Sequence, residues 1–138
     1  MTRLVIGTPE LAAVSSAAAK AWPQEACGLL VGRREDGAIR VRRMLIAANV
    51  ADDPERRFEV DPQSLLAAHR DAREAGEELL GSWHSHPNGV GRPSAMDAAR
   101  ANGAGEVWLI VPVAEGQAGS ARAYLFDGAG FAEMTVGA

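Results

Sequence analysis

The chain has a single cysteine, Cys27, in 138 residues, so no disulfide can close within it. That fits a reducing compartment. It also has a single lysine, Lys20, so nearly all its positive charge is arginine. No run approaches the roughly 18 apolar residues of a membrane span. The opening residues Met1 to Gly7 lack the long apolar region of a signal peptide. These absences lead us to expect a cytoplasmic protein with no membrane partner. Positive charge is in deficit: Lys+Arg 14 against Asp+Glu 18 gives a net charge of −4. A protein that binds nucleic acid through phosphate contacts needs the opposite balance, so no nucleic-acid partner is expected. Internal repeats, linkers and low-complexity tracts are missing too.

Hydrophobic residues make up 47%, enough for one globular domain over residues 1–138 with a single core. Leu4 to Ile6 reads as a short strand. Thr8-Pro9-Glu10 reads as the cap and first turn of a helix that Pro23 stops. Gly28–Arg33 and Ile39–Ala47 flank Glu35-Asp36-Gly37 as a hairpin. Asn49–Glu55 reads as a loop and Phe58–Val60 as a short edge strand. Asp61-Pro62 opens a second helix that ends near Ala75, before Gly76. Leu79–His84 is a strand, and Gly81 within it predicts close approach by another segment. Pro87–Pro93 is a loop and Ser94–Asn102 a third helix. Val107–Val113 is a buried-type strand, and a last hairpin joins Tyr124–Phe126 to Phe131–Val136. This order predicts an α/β fold: a mixed, mostly antiparallel sheet packed with three helices.

Residues His84 to Asp97 carry the chemistry. His84 and His86 are two apart, and residues i and i+2 of a strand face the same side, so both imidazoles can reach one ion. Asp97 can add a third, oxygen ligand. Two histidines and a carboxylate leave an open position on zinc, as catalytic sites do. Ser94 and Asp97 also fit a helix-capping pair, with Ser94 at the N-cap and Asp97 three residues on. The two readings are compatible, because the cap would hold Asp97 rigidly opposite the histidines. Trp83 alternates with the histidines and should face the core.

The pattern extends well upstream of these residues. The order Glu25-Ala-Cys-Gly-Leu-Leu-Val-Gly32, Asn49, Phe58-Glu-Val-Asp-Pro62, Gly81-Ser-Trp-His-Ser-His-Pro87 and Ser94-x-x-Asp97 resembles the JAMM (MPN-domain) zinc metallopeptidases. The likeness is to their short bacterial branch, associated with sulfur-carrier, ubiquitin-like proteins. It implies the cytidine-deaminase-like MPN fold, zinc held by His84, His86 and Asp97, Glu25 as general base, and Ser94 as a hydrogen-bond donor to the developing oxyanion. Without the resemblance Glu25 reads as a solvent-facing residue at a strand start. The implied reaction is hydrolysis of the amide bond after a carrier protein's C-terminal Gly-Gly tail. Such a thin tail suits a groove beside an edge strand. Ser120 follows Asp97 by only 23 positions, a stretch that includes a whole strand, which leaves little room for the inserts that grip two ubiquitins.

Other readings stand beside this one. A small-peptide metallohydrolase would need the same ligands, and a non-catalytic MPN scaffold would not need them intact. A zinc deaminase would need His-x-Glu and Pro-Cys-x-x-Cys, both missing. Cys27, two residues from Glu25, could line the site; as a nucleophile it would need a histidine base, and both motif histidines are better used as ligands. Seven arginines between Arg33 and Arg57 read either as a solvated strand face or as a rim for an acidic partner.

Overall fold

A computed structural model describes residues 2–138. Eleven elements follow in order: β1 (Arg3–Val5), α1 (Thr8–Ala21), β2 (Cys27–Glu35), β3 (Ala38–Ala47), α2 (Pro62–Glu74), β4 (Glu78–His86), α3 (Ala95–Arg100), β5 (Val107–Ala114), β6 (Gln117–Ala118), β7 (Arg122–Phe126) and β8 (Phe131–Gly137). The fold is the expected α/β type, with three helices on a mixed sheet. Pairings β2–β3, β2–β4, β5–β6, β5–β7 and β7–β8 are antiparallel; β1–β3, β1–β8 and β4–β5 are parallel.

Closure of the sheet is not visible in the sequence. The strands run β4-β2-β3-β1-β8-β7-β5, and β5 pairs back onto β4, so the sheet closes on itself. Closure removes most free edges. It also places β4 between β2 and β5, where both its edges are paired.

The two faces of β4 and β5 carry two apolar clusters. Leu4, Leu30, Leu80, Trp83, Val107, Leu109, Val111 and Met134 pack on one side with Val14 and Ala18 of α1. Val14 and Ala18 are four apart and so share one helix face. Trp83 is fully buried there, as expected, and its Nε1 donates to Leu45 O at 2.9 Å. Cys27, Phe58, Trp108, Ile110 and Tyr124 form the second cluster on the opposite side. His84 stacks on Phe58 of that second cluster, on the face away from Trp83.

Local chemistry explains most boundaries. Asp61 caps α2 by accepting from Ser64 N at 3.0 Å, with Pro62 in the first turn. The first helix is capped by Gly7 rather than Thr8, a shift of one residue. Gly37, at φ 73°, makes the β2–β3 turn. The third helix stops at Arg100, short of Asn102, because Asn102 N donates to the Glu106 side chain instead of to a helical carbonyl. Strand β4 runs on to His86, past the expected end at His84, because β5 pairs with it as far as His86↔Pro112.

Phe58–Val60 is not a strand. A single bridge, Asn49↔Val60, replaces the expected pairing. Glu59 N donates to Asn49 Oδ1 at 3.1 Å and Asn49 Nδ2 donates to Arg57 O at 3.1 Å. A side-chain amide thus takes two of the backbone groups that a neighbouring strand would have paired, while Glu59 O accepts from Val50 N at 2.9 Å.

Gly81 has the close neighbour that its place in the strand predicts. A Cβ there would run into the carbonyl oxygen of Val107, its partner on β5. Backbone cannot yield as a flexible side chain does. We expect Gly81→Ala to destabilise the chain by about 1–3 kcal/mol or more, since overpacking forces the paired strands apart. Urea unfolding checks this, and an unchanged midpoint would rule out the tight β4–β5 approach.

Candidate metal centre and cleft

His84 and His86 are brought to one point by the two-residue repeat of β4, and both are buried. Asp97 arrives from α3. Ser94 Oγ accepts from Asp97 N at 3.0 Å while Asp97 Oδ2 accepts from Ser94 N at 2.9 Å, a reciprocal capping box. The same Oδ2 lies 2.9 Å from His86 Nε2 and 3.4 Å from His84 Nε2, and the two Nε2 atoms are 3.0 Å apart. The cap therefore aims the carboxylate as well as starting the helix.

These three atoms fit a small cation. His86 Nδ1 lies 2.7 Å from Val90 O, which can only accept, so the neutral ring carries its proton on Nδ1. Its Nε2 lone pair then faces a carboxylate oxygen, and both face His84 Nε2. One proton can bridge only one such pair at a time, whereas a metal ion satisfies all three. The separations also match the edges of about 3.3 Å in a tetrahedron with bonds of about 2.0–2.1 Å to nitrogen. The surroundings hold the rings still: Phe58 stacks on His84 at 4.3 Å between centroids, and Trp108 meets it edge-on at 5.4 Å.

Burial and charge tune the protons here. Burial presses the Asp97 carboxyl upwards, but hydrogen bonds with His84 and His86 outweigh it and hold Asp97 well below the usual carboxylate range. Burial holds His84 below its ordinary value. For His86 burial also acts downwards, but the hydrogen bond and charge of Asp97 prevail and raise it.

Glu25 lies just before β2, outside any strand, and is buried. Burial pushes its carboxyl up from 4.5 to about 7, against the pull of His86. Its Oε1 has no hydrogen-bond partner among the described residues. A buried orphan oxygen is costly and calls for a water or a ligand. The backbone around it is fully engaged: Glu25 N donates to Pro54 O at 2.7 Å, Ala26 N to Ser85 Oγ at 2.8 Å, and Ser85 N to Ala26 O at 3.0 Å. Ser85, between the two histidines, thus ties the Glu25 segment to the histidine strand. Sequence reasoning gives Ser85 no role; its place in His-Ser-His is the available signal.

Glu25, His86 and Ser94 line one cleft. Glu55 and Arg56 form part of its wall, and the loop residues Pro87, Val90 and Arg92 another. Tyr124 OH donates to Gly91 O at 2.8 Å and steadies that loop. The expected edge strand beside the motif is not there. β4 is paired on one side by β2 and on the other by β5, so the cleft walls are loops.

Cys27 is buried beside His84 in the β2–β4 register, with its Sγ against the carbonyls of Ala47 and Ala48. Burial pushes its thiol up to about 12, with Asp61 and Glu25 adding to the rise. A thiol held protonated is a poor nucleophile. The arginine-rich segment divides in two. Arg34, Arg40, Arg42 and Arg43 pair with Glu78, Glu35 and Glu77 on the chain itself, which favours the solvated face over a docking rim. Arg56 alone among the seven reaches the cleft.

Comparison with known proteins places the chain in a family. Residues 8–126 match the family described as prokaryotic homologs of the JAB domain, a span that holds Glu25, His84, His86, Ser94 and Asp97. A desampylase of Haloferax volcanii is 33% identical over 114 residues, covering 83% of this chain and 78% of the relative. A probable TtuB-protein conjugate cleaving protease of Thermus thermophilus is 36% identical over 103 residues, covering 75% of this chain and 62% of that protein. A solution structure of a Desulfitobacterium hafniense protein superposes with a TM-score of 0.82 at 30% identity, covering 96% of this chain and 90% of that one. The family match spans most of the chain, motif included, and the chain belongs to the prokaryotic homologs of the JAB domain, the JAMM/MPN-type proteins that its motif resembles.

Proposed function

We propose that this chain, as one domain over residues 1–138, is a zinc-dependent peptidase or isopeptidase. Its substrate is a ubiquitin-like or sulfur-carrier protein, and it cuts the amide bond after the C-terminal Gly-Gly tail, releasing an amino acid or extension. The observation that carries this reading is the meeting of His84 Nε2, His86 Nε2 and Asp97 Oδ2 beside the unpartnered Oε1 of Glu25. The relatives support the substrate class: one is a desampylase and another a probable protease of TtuB-protein conjugates.

His84, His86 and Asp97 hold the metal. When bound, zinc supplies a Lewis acid that acidifies water and polarises a carbonyl. Glu25 takes the proton of the attacking water and returns it to the leaving amine. Ser94 Oγ accepts from Asp97 N, which leaves its own hydrogen free to donate into the cleft, where it stabilises the oxyanion. The Gly-Gly tail lies between the loop walls, and its lack of side chains lets its backbone approach the ligands closely. No helix among the described residues is long and apolar enough to cross a membrane, and we place the reaction in the cytoplasm.

The test is to incubate the zinc-loaded chain with carrier proteins extended beyond Gly-Gly and to follow intact mass. We expect loss of the extension, blocked by a chelator and restored by zinc. If several carriers stay whole while an unrelated free dipeptide is hydrolysed, the enzyme is a small-peptide metallohydrolase. If neither is cut although zinc is bound, the domain is a non-catalytic scaffold.

A further inference from the structure

We infer that Asn49 is a positioning residue for Glu25, its side-chain amide tying the Glu25 backbone to the neck of the loop that walls the cleft. This rests on the proposed role of Glu25 as general base.

The amide of Asn49 has two donors and an oxygen with two lone pairs, and all four are used. Nδ2 donates to Glu25 O at 2.9 Å and to Arg57 O at 3.1 Å. Oδ1 accepts from Ala51 N and from Glu59 N, both at 3.1 Å. Val50 N donates to Glu59 O at 2.9 Å alongside. Asn49 thereby closes the loop Val50–Glu59 at its neck. The tip of that loop returns to Glu25, where Pro54 O takes the Glu25 N–H at 2.7 Å.

Glu25 depends on this arrangement for two reasons. It precedes β2, so no ladder partner fixes its own N–H and carbonyl. Its Oε1 is buried without a partner, so that oxygen contributes no anchor at the far end of the side chain. The carboxylate's position is therefore set from the backbone, by Pro54 O at one side and Asn49 Nδ2 at the other. The same loop bears Glu55 and Arg56 on the cleft wall and Phe58 on His84. No other side-chain type of this size offers two donors and two acceptance sites at one point.

Asn49→Asp tests this with little change of shape. It keeps an oxygen for Ala51 N and Glu59 N, but sets a second oxygen against two carbonyls that can only accept. On the zinc-loaded chain we expect one zinc retained. We expect kcat for carrier cleavage to fall about 10- to 100-fold with KM changed less than about threefold, as a displacement of about 1 Å implies. Amide hydrogen exchange at Glu25 should quicken about tenfold or more, while Leu29 and Trp83 in the strands keep their rates. In a Glu25→Gln background, adding Asn49→Asp should change the residual rate less than about twofold, because the two residues act through one group. An equal fold-loss in both backgrounds, or unchanged exchange at Glu25, overturns the inference and leaves Asn49 as a loop staple alone. Asn49→Ala carries the same measurements if Asn49→Asp does not fold. If the wild type cuts no carrier, the proposed function fails, and the exchange arm still decides whether Asn49 holds Glu25.

Discussion

His84→Ala combined with His86→Ala is expected to purify without zinc and to cut no carrier protein, whereas the wild type holds one zinc per chain. The argument starts from the donor set. The wild type offers two imidazole nitrogens and one carboxylate oxygen within bonding distance of a common point. Removing both nitrogens leaves Asp97 Oδ2, which is already used by the Ser94 N–H. A single carboxylate oxygen does not hold zinc against water. Stability should separate the proteins as well. A ligand that binds only the folded chain stabilises it by about 4 kcal/mol at a thousandfold excess over its dissociation constant. Zinc should therefore raise the wild-type melting temperature and leave the double variant's unchanged. Metal analysis of both proteins is the check, and stoichiometric zinc in the double variant would remove these histidines as ligands.

Glu25→Gln is expected to keep its zinc and lose hydrolysis by on the order of 10²–10⁴-fold. Glutamine has nearly the same shape but cannot take a proton from water. Turnover at the wild-type rate would reduce Glu25 to a structural residue. The same substitution has a second, opposite signature in the metal-free chain. Burial raises the Glu25 carboxyl from 4.5 to about 7 in the folded state, so the folded chain binds an extra proton between those two values. Wild-type stability therefore falls as pH rises from about 4.5 and levels off above about 7. Glutamine carries no such charge. After chelation, Glu25→Gln should be the more stable protein at pH 8, by on the order of 3 kcal/mol. The advantage should vanish below about pH 4, where the wild-type carboxyl is protonated in both folded and unfolded states. Paired urea titrations at the two pH values decide it, and an equal gap at both would mean that the carboxyl is not perturbed by burial.

The two effects share one cause. A carboxylate held away from water costs the resting fold stability and gains basicity. Asp97 is treated in the opposite way a short distance off, because it receives hydrogen bonds where Glu25 Oε1 has none. Two neighbouring acidic residues, Glu25 and Asp97, are thus set to different tasks by what surrounds them.

What is legible in the sequence depends on the range of the interaction. The helices can be read because proline, an N-cap and a glycine stop act within a few residues, as at Asp61, Pro62 and Gly76. The hairpin at Gly37 is legible for the same reason. His84 and His86 are legible because a strand's two-residue repeat dictates their common face, and Ser94 with Asp97 because a capping box spans only four residues. Phe58–Val60 misleads because its apolar pattern suits a strand, while the Glu59 N–H goes to the side chain of Asn49, which no local rule foresees. The groove beside an edge strand misleads for a related reason: whether an edge is free depends on closure of the whole sheet.

The chain's own order of residues determined the α/β class, the three helices and the histidine–carboxylate motif, since each follows from patterns and spacings local in the sequence. Only the tertiary structure decided that β5 returns to β4 and closes the sheet, and that Glu25 and Asn49 meet through the Val50–Glu59 loop. It alone set the protonation of Glu25. That quantity depends on water excluded by distant segments, and solvent exclusion is a property of the packed whole.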